Sequence, residues 1–148
     1  MGAFGFGYLL AFAAGVSFVF QQAVNSNLRV EIASPWWAGF VSYLGGTLLM
    51  LAVAFALREP FPSAVLIGRS HGMSWTGNIF GAIYIAISIL LVPRLGAATV
   101  ISLLVAGQMI GSLAFDHFGL FGLPVHHVTT PRAIGAILLM AGAILVRY

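Results

Sequence analysis

Cysteine and lysine are both absent from the 148 residues, and charge of either sign is scarce: six arginines, two glutamates and one aspartate. Without cysteine there are no disulfides and no thiolate metal sites, while the redox compartment stays open. Charged residues make up 6% of the chain, against roughly 25% in soluble domains, and so few charges cannot clothe a water-facing surface. No two arginines are adjacent and the formal net charge is only +3, so no phosphate-tracking stripe exists and nucleic-acid binding is excluded. The apolar runs contain no Asp or Glu, which argues against a central carboxylate that exchanges a cation for protons. No nucleophile–base pair and no phosphate-cradling motif occurs, so the sequence supports no enzymatic chemistry and calls for no cofactor.

What is present is hydrophobic: 61% of the residues are apolar and the mean hydropathy is +1.07. Composition therefore places the chain in lipid. The start, MGAFGFGYLLAF, lacks a basic leader region and reads as the beginning of a retained helix. The charges punctuate the rest into uncharged runs at 1–28, 32–57, 72–93, 95–115 and 133–146. About 20 helical residues cross a bilayer core, so the first four runs are long enough. The fifth spans if Arg132 and Arg147 extend toward opposite headgroup layers; a buried core helix is the alternative. The expected fold is an all-α integral membrane bundle of five transmembrane helices in one domain, 1–148. The helices fall at about 4–26, 36–57, 74–93, 97–115 and 131–147. Pro35 precedes the second, Pro93 ends the third and Pro131 opens the fifth. Trp36, Trp37 and Trp75 fall at helix starts, where aromatic belts form, and 117–130 reads as a loop.

Five spans put the termini on opposite sides. Arg58, Arg69 and Arg132 then lie on the N-terminal side, with Arg29, Arg94 and Arg147 on the other. Orientation follows an excess of basic residues on the cytoplasmic side, and here there is no excess. One reading is dual topology, the same chain inserting both ways and pairing as an antiparallel homodimer. The other is coincidence, with a partner chain or histidine protonation fixing one orientation. Many transporters consist of two inverted halves around a midplane site, and an antiparallel pair supplies ten helices from one gene.

Small residues four apart mark close helix contacts in lipid. Gly77 and Gly81 form one such pair and Gly107 and Gly111 another. In the last helix Gly135 and Gly142, like Ala136 and Ala143, are seven apart and share a face; this stripe is either a dimer interface or packing within the chain. Polar groups inside a span are costly unless paired, and mark candidate sites. Gln21 and Asn25 lie four apart with Gln22 beside them, and Gln108 sits near the centre of its helix, with Ser112 and Asp116 following at four-residue steps. Tyr84 and Thr47 are central in theirs, and Tyr43 lies near the Gln21–Asn25 level. The candidate substrate-binding set is Gln21, Asn25, Tyr43, Tyr84 and Gln108; interhelical hydrogen bonding is the plainer role for the amides. Asp116 beside His117 suits coupling or gating, or else Asp116 pairs with an arginine. His126 and His127 have no third ligand nearby, so no metal site is expected.

The stretches FQQAVNSNL, SPWWAGFVSYLGGT and GNIFGAIYIAISILLVPRLGAATVISLLVAGQMIGSLAFDHFGLFGLP resemble the YdcZ-like branch of the drug/metabolite transporter superfamily almost end to end. The block from Pro93 to Pro124 is the most specific part. The resemblance implies a five-span bacterial inner-membrane protein, half of a ten-helix inverted-repeat transporter, since that branch occurs as single genes, paired genes and fused forms. By resemblance Gln21 and Asn25 match the family's Q…N pair and Ser42 its S-x-x-G serine. Gln108 matches the GQ, and Asp116 with Gly119 the DHFG. Asn78 stands where the family usually has a second glycine, which makes it a candidate specificity or gating position. The implied activity is alternating-access transport of a small neutral or amphipathic organic molecule by the antiparallel homodimer. Alternatives are an obligate heteromer with an oppositely oriented paralogue and a non-transporting assembly protein. Because cysteine is absent, Tyr148→Cys gives a clean topology probe. Impermeant thiol labelling of intact cells is expected to reach about half the chains under dual insertion; all-or-none labelling assigns a single orientation.

Overall fold

The computed structural model describes residues 2–148, with side chains from Gly5 onward. Among the described residues there are six α-helices: α1 (Gly2–Glu31), α2 (Pro35–Ala56), α3 (Ala64–Arg69), α4 (Gly77–Leu95), α5 (Ala97–Phe118) and α6 (Thr130–Leu145). Short 3-10 turns occupy Gly72–Thr76 and Leu120–Gly122. The segments Gly5–Glu31, Pro35–Ala56, Gly72–Leu95 and Ala97–Phe118 are long and apolar enough to cross a bilayer. The 16 residues of α6 rise about 24 Å. Residues up to Pro93 form one compact unit and Arg94–Tyr148 a second.

In the first unit α1 outruns its expected end at residue 26 and stops only at Glu31. The end is set by a left-handed Ala33 (φ 52°) and the Ser34 amide donating to the Arg29 carbonyl at 3.2 Å, the six-to-one bond that closes a helix C-terminus. Ser34 then starts the next helix: its hydroxyl accepts from the Trp37 amide at 3.3 Å, and Pro35, inside α2 rather than before it, fills the first position, where no amide is needed. The resulting hairpin is antiparallel, with α1 packed along α2. The linker to α4 folds as well: Ser63 caps α3, and the Trp75 indole donates to the Ser70 hydroxyl at 2.8 Å.

Pro93 does not end α4, as the sequence suggests, but lies inside it; the helix runs on to Leu95. Proline has no amide hydrogen, so it strips the carbonyl four residues earlier of its donor. That carbonyl is Ile89, and Arg29 replaces the donor: its Nη1 donates to Ile89 O at 3.0 Å, with a longer 3.5 Å approach to Leu90 O. A freed carbonyl at membrane depth is costly unless a neighbouring helix satisfies it. The bond therefore ties the last turn of α1 to α4. Ala38, Ile85 and Ile89 form the apolar core between α2 and α4, flanked by Leu28, Tyr43 and Tyr84. What stops α4 is Gly96, whose φ of +82° is a conformation that side chains resist.

In the second unit α5 continues three residues past its expected end, to Phe118. The α6 helix packs along α5 and buries Ala136 and Ala143. That alanine stripe is packing within the chain.

Arg29→Gln is expected to cost roughly 1.5–3 kcal/mol, the worth of a hydrogen bond to a charged donor. In a Pro93→Ala background the restored amide supplies Ile89 O, and the same change should cost under about 1 kcal/mol. A double-mutant cycle by reversible unfolding in mixed micelles measures the difference; additive effects contradict the capping role.

Candidate functional site

Positions 18, 22, 25 and 29 of α1 follow one another at steps of four, three and four, so they share one face. The buried part of the stripe is at Gln22 and Asn25, while Phe18 at its start is half-exposed. Phe18 meets Tyr84 edge-on with ring centroids 5.9 Å apart, Gln22 and Asn25 are 1% and 5% exposed, and Arg29 caps Ile89. The sequence singles out Gln21 and Asn25, and both converge on one acceptor. The Asn25 amide donates to Ser42 Oγ at 3.0 Å and the Gln21 amide to the same oxygen at 3.3 Å. These two amides thus hold α1 to α2, the plainer of the two roles open to them. Gln22, which the sequence reading leaves beside the pair, is buried with neither Nε2 nor Oε1 bonded among the described residues. Its place on the 18–22–25–29 stripe is the signal that separates it from its neighbour.

Tyr43 and Tyr84 both pack on the α2–α4 core. The Tyr43 hydroxyl lies against Gly81, so a Cβ there would require the tyrosine ring to shift. Between α2 and α4 lies an open cleft of about 370 Å³, lined by Trp36, Gly39, Phe40, Tyr43, Ile85 and Ala86. Its lining is almost entirely apolar. Asn78 is exposed, as is Thr47. Nothing among the described residues comes within 4 Å of a Cβ built at Gly77, Gly107, Gly111, Gly135 or Gly142. Gln108 is exposed, and no hydrogen bond engages its amide among the described residues. Ser88, Ser102 and Ser112 bond back to carbonyls of their own helices, as serines in apolar helices do.

At the far end of α5, Asp116 forms an ion pair with Arg132, the arginine partner that the sequence leaves open. The same arginine donates from Nη1 to His126 O at 3.0 Å, and the His126 amide donates to Asp116 O at 2.8 Å. His117 Nδ1 accepts from the Val128 amide at 3.3 Å, so a neutral ring carries its proton on Nε2. Gly119 is left-handed (φ +60°), and a Cβ there would come within 2.8 Å of Val125 Cγ2. Asp116 and His117 therefore fasten the return segment 123–128, and Gly119 leaves the space that Val125 occupies. Among the described residues no group of three or more His, Cys, Asp or Glu could hold a metal ion.

Arg132→Gln is expected to release about 1 kcal/mol of a partly exposed ion pair, read as roughly fivefold faster amide hydrogen exchange across residues 119–129 with helical content unchanged. Gly119→Ala should cost about 1–2 kcal/mol from its left-handed backbone alone. Unchanged exchange in the first variant contradicts the fastening role.

Residues 6–145 match the family described as "Putative inner membrane exporter, YdcZ". Over 134 residues the chain is 30% identical to "Inner membrane protein YdcZ" of Escherichia coli (strain K12), covering 90% of this chain and 89% of that protein. No solved structure matches. The matching span and the apolar helices agree, and the chain belongs to the YdcZ family of the drug/metabolite transporter superfamily, as a multi-pass protein of the inner membrane.

Proposed function

We propose that the chain is one half of an exporter that moves a small neutral or amphipathic organic molecule by alternating access, completed by a second, oppositely inserted copy. Gln108 carries the reading. An amide near the centre of a 22-residue apolar helix is costly in hydrocarbon unless something pairs with it, and the chain's own described residues do not. Gly107 and Gly111 flank it with open space, which leaves room for a helix backbone of the second copy to approach. Gly135 and Gly142 are open in the same way on α6 and suit the dimer contact. The even arginine split supports opposite insertion of the two copies. The family description as an inner-membrane exporter supports transport as the activity. In this reading Tyr43 and Tyr84 border the substrate route, while Asp116, His117 and Asn78 govern access.

Proteoliposomes test this with a panel of neutral and amphipathic aromatic compounds. The native protein is expected to move at least one of them. Gln108→Ala should slow that flux by about tenfold or more, the loss of one hydrogen bond in a dry site, with dimer cross-linking unchanged. Full flux in the variant removes Gln108 from the route. Absence of flux for the entire panel contradicts the transport reading.

A further inference from the structure

The structure divides the three neighbouring amides of α1 unequally. Gln21 and Asn25 each donate to Ser42 Oγ, so both are tied to α2 through their amide nitrogens. Gln22 is 1% exposed, and both atoms of its amide lack a partner among the described residues. A buried donor and acceptor left unbonded each carry the full penalty of lost solvation, and helices in lipid have no water to cover the loss. A leucine of similar size would remove that cost, so the amide works against the stability of this closed state.

The surroundings show what would use it. One turn before Gln22, about 6 Å along the axis, Phe18 makes its edge-on contact with Tyr84. On the other side Asn25 is fixed to Ser42 and Arg29 to the Ile89 carbonyl. The part of α4 between Tyr84 and Ile89 includes Ser88, whose hydroxyl is already engaged by the Tyr84 carbonyl at 2.8 Å. Gln22 is thus the amide on this face whose donor and acceptor are both buried and unbonded among the described residues, bracketed by an aromatic contact at one end and polar ties at the other. A primary amide offers a donor and an acceptor side by side, and its complement is another carboxamide: ligand N–H to Oε1, and Nε2–H to ligand C=O.

We propose that Gln22 is the recognition residue of an occluded site on α1 that binds aromatic carboxamides, pairing amide to amide while the ligand ring takes up the Phe18–Tyr84 contact. Entry requires that contact to open, and the ligand satisfies the amide that closure otherwise strands. The proposal deepens the transport reading by naming the substrate class of the site, and it rests on that reading.

Benzamide is the probe, titrated into the purified full-length protein in lipid nanodiscs and followed by thermal shift and calorimetry. Acetophenone, which has the acceptor only, and aniline, which has a donor only, are the controls. Benzamide is expected to bind at least about tenfold more tightly than either, since each control leaves one buried group unpaired. Gln22→Leu should weaken benzamide by about tenfold or more while raising the melting temperature of the unliganded protein; Gln22→Met carries the same test should the leucine variant fail to assemble. Benzamide binding that is undetectable, is matched by acetophenone, or is unchanged in both variants overturns the proposal. Binding that depends on Gln22 without flux of benzamide or of any panel compound in proteoliposomes sinks the transport reading and leaves the site standing, whereas flux of other compounds without benzamide binding does the reverse.

Discussion

The first unit depends on a single exchange of hydrogen bonds. Pro93 takes the donor away from the Ile89 carbonyl, and Arg29 supplies one from another helix at 3.0 Å. Neither residue would be tolerated easily alone: a proline-freed carbonyl in lipid lacks a partner, and an arginine drawn toward helix interiors needs acceptors. Together they convert two liabilities into a tie between sequence positions 60 residues apart. The tie also explains why α1 is longer than its uncharged run. Arg29 belongs to the helix because its target lies within the protein, whereas a charge read from sequence alone signals exit to the headgroups.

How much was legible in the sequence follows from which forces act locally. The helices are nearly all visible, because apolar runs bounded by charge are a composition signal and lipid enforces it. Ends were less so. Pro93 looks like a terminator, and only the three-dimensional position of Arg29 reveals why the helix tolerates it. Gly96, three residues later, is the real stop, because its backbone angle lies where side chains resist. The candidate amides were visible as polar residues in apolar helices, but which of them is engaged is a question of facing. Gln21 and Gln22 are adjacent, and one step of 100° sends the first to Ser42 and encloses the second. Arg132 was assigned to a membrane side by counting, while its partnership with Asp116 required the return path of the segment after Gly119.

The two units solve the same problem by different means. In the first, amides and a guanidinium satisfy polar groups between helices. In the second, α6 packs along α5 with Ala136 and Ala143 buried, and Asp116, His117 and Arg132 supply the side-chain polar ties at the turn. The alanines at seven-residue spacing are consumed by this internal packing, while the glycines beside them stay open. A stripe that looks uniform in sequence therefore has two faces, one packed within the chain and one open.

The capped proline carries the account of the first unit, and it can be measured without a substrate. Rotational-echo solid-state NMR in lipid bilayers, with 15N in the arginine side chains and 13C at the Ile89 carbonyl, reads that separation directly. An Nη1 bonded to the oxygen at 3.0 Å predicts strong dephasing of the Ile89 signal that disappears in Arg29→Gln. An Ile89 carbonyl that shows no coupling to any guanidinium nitrogen would contradict it.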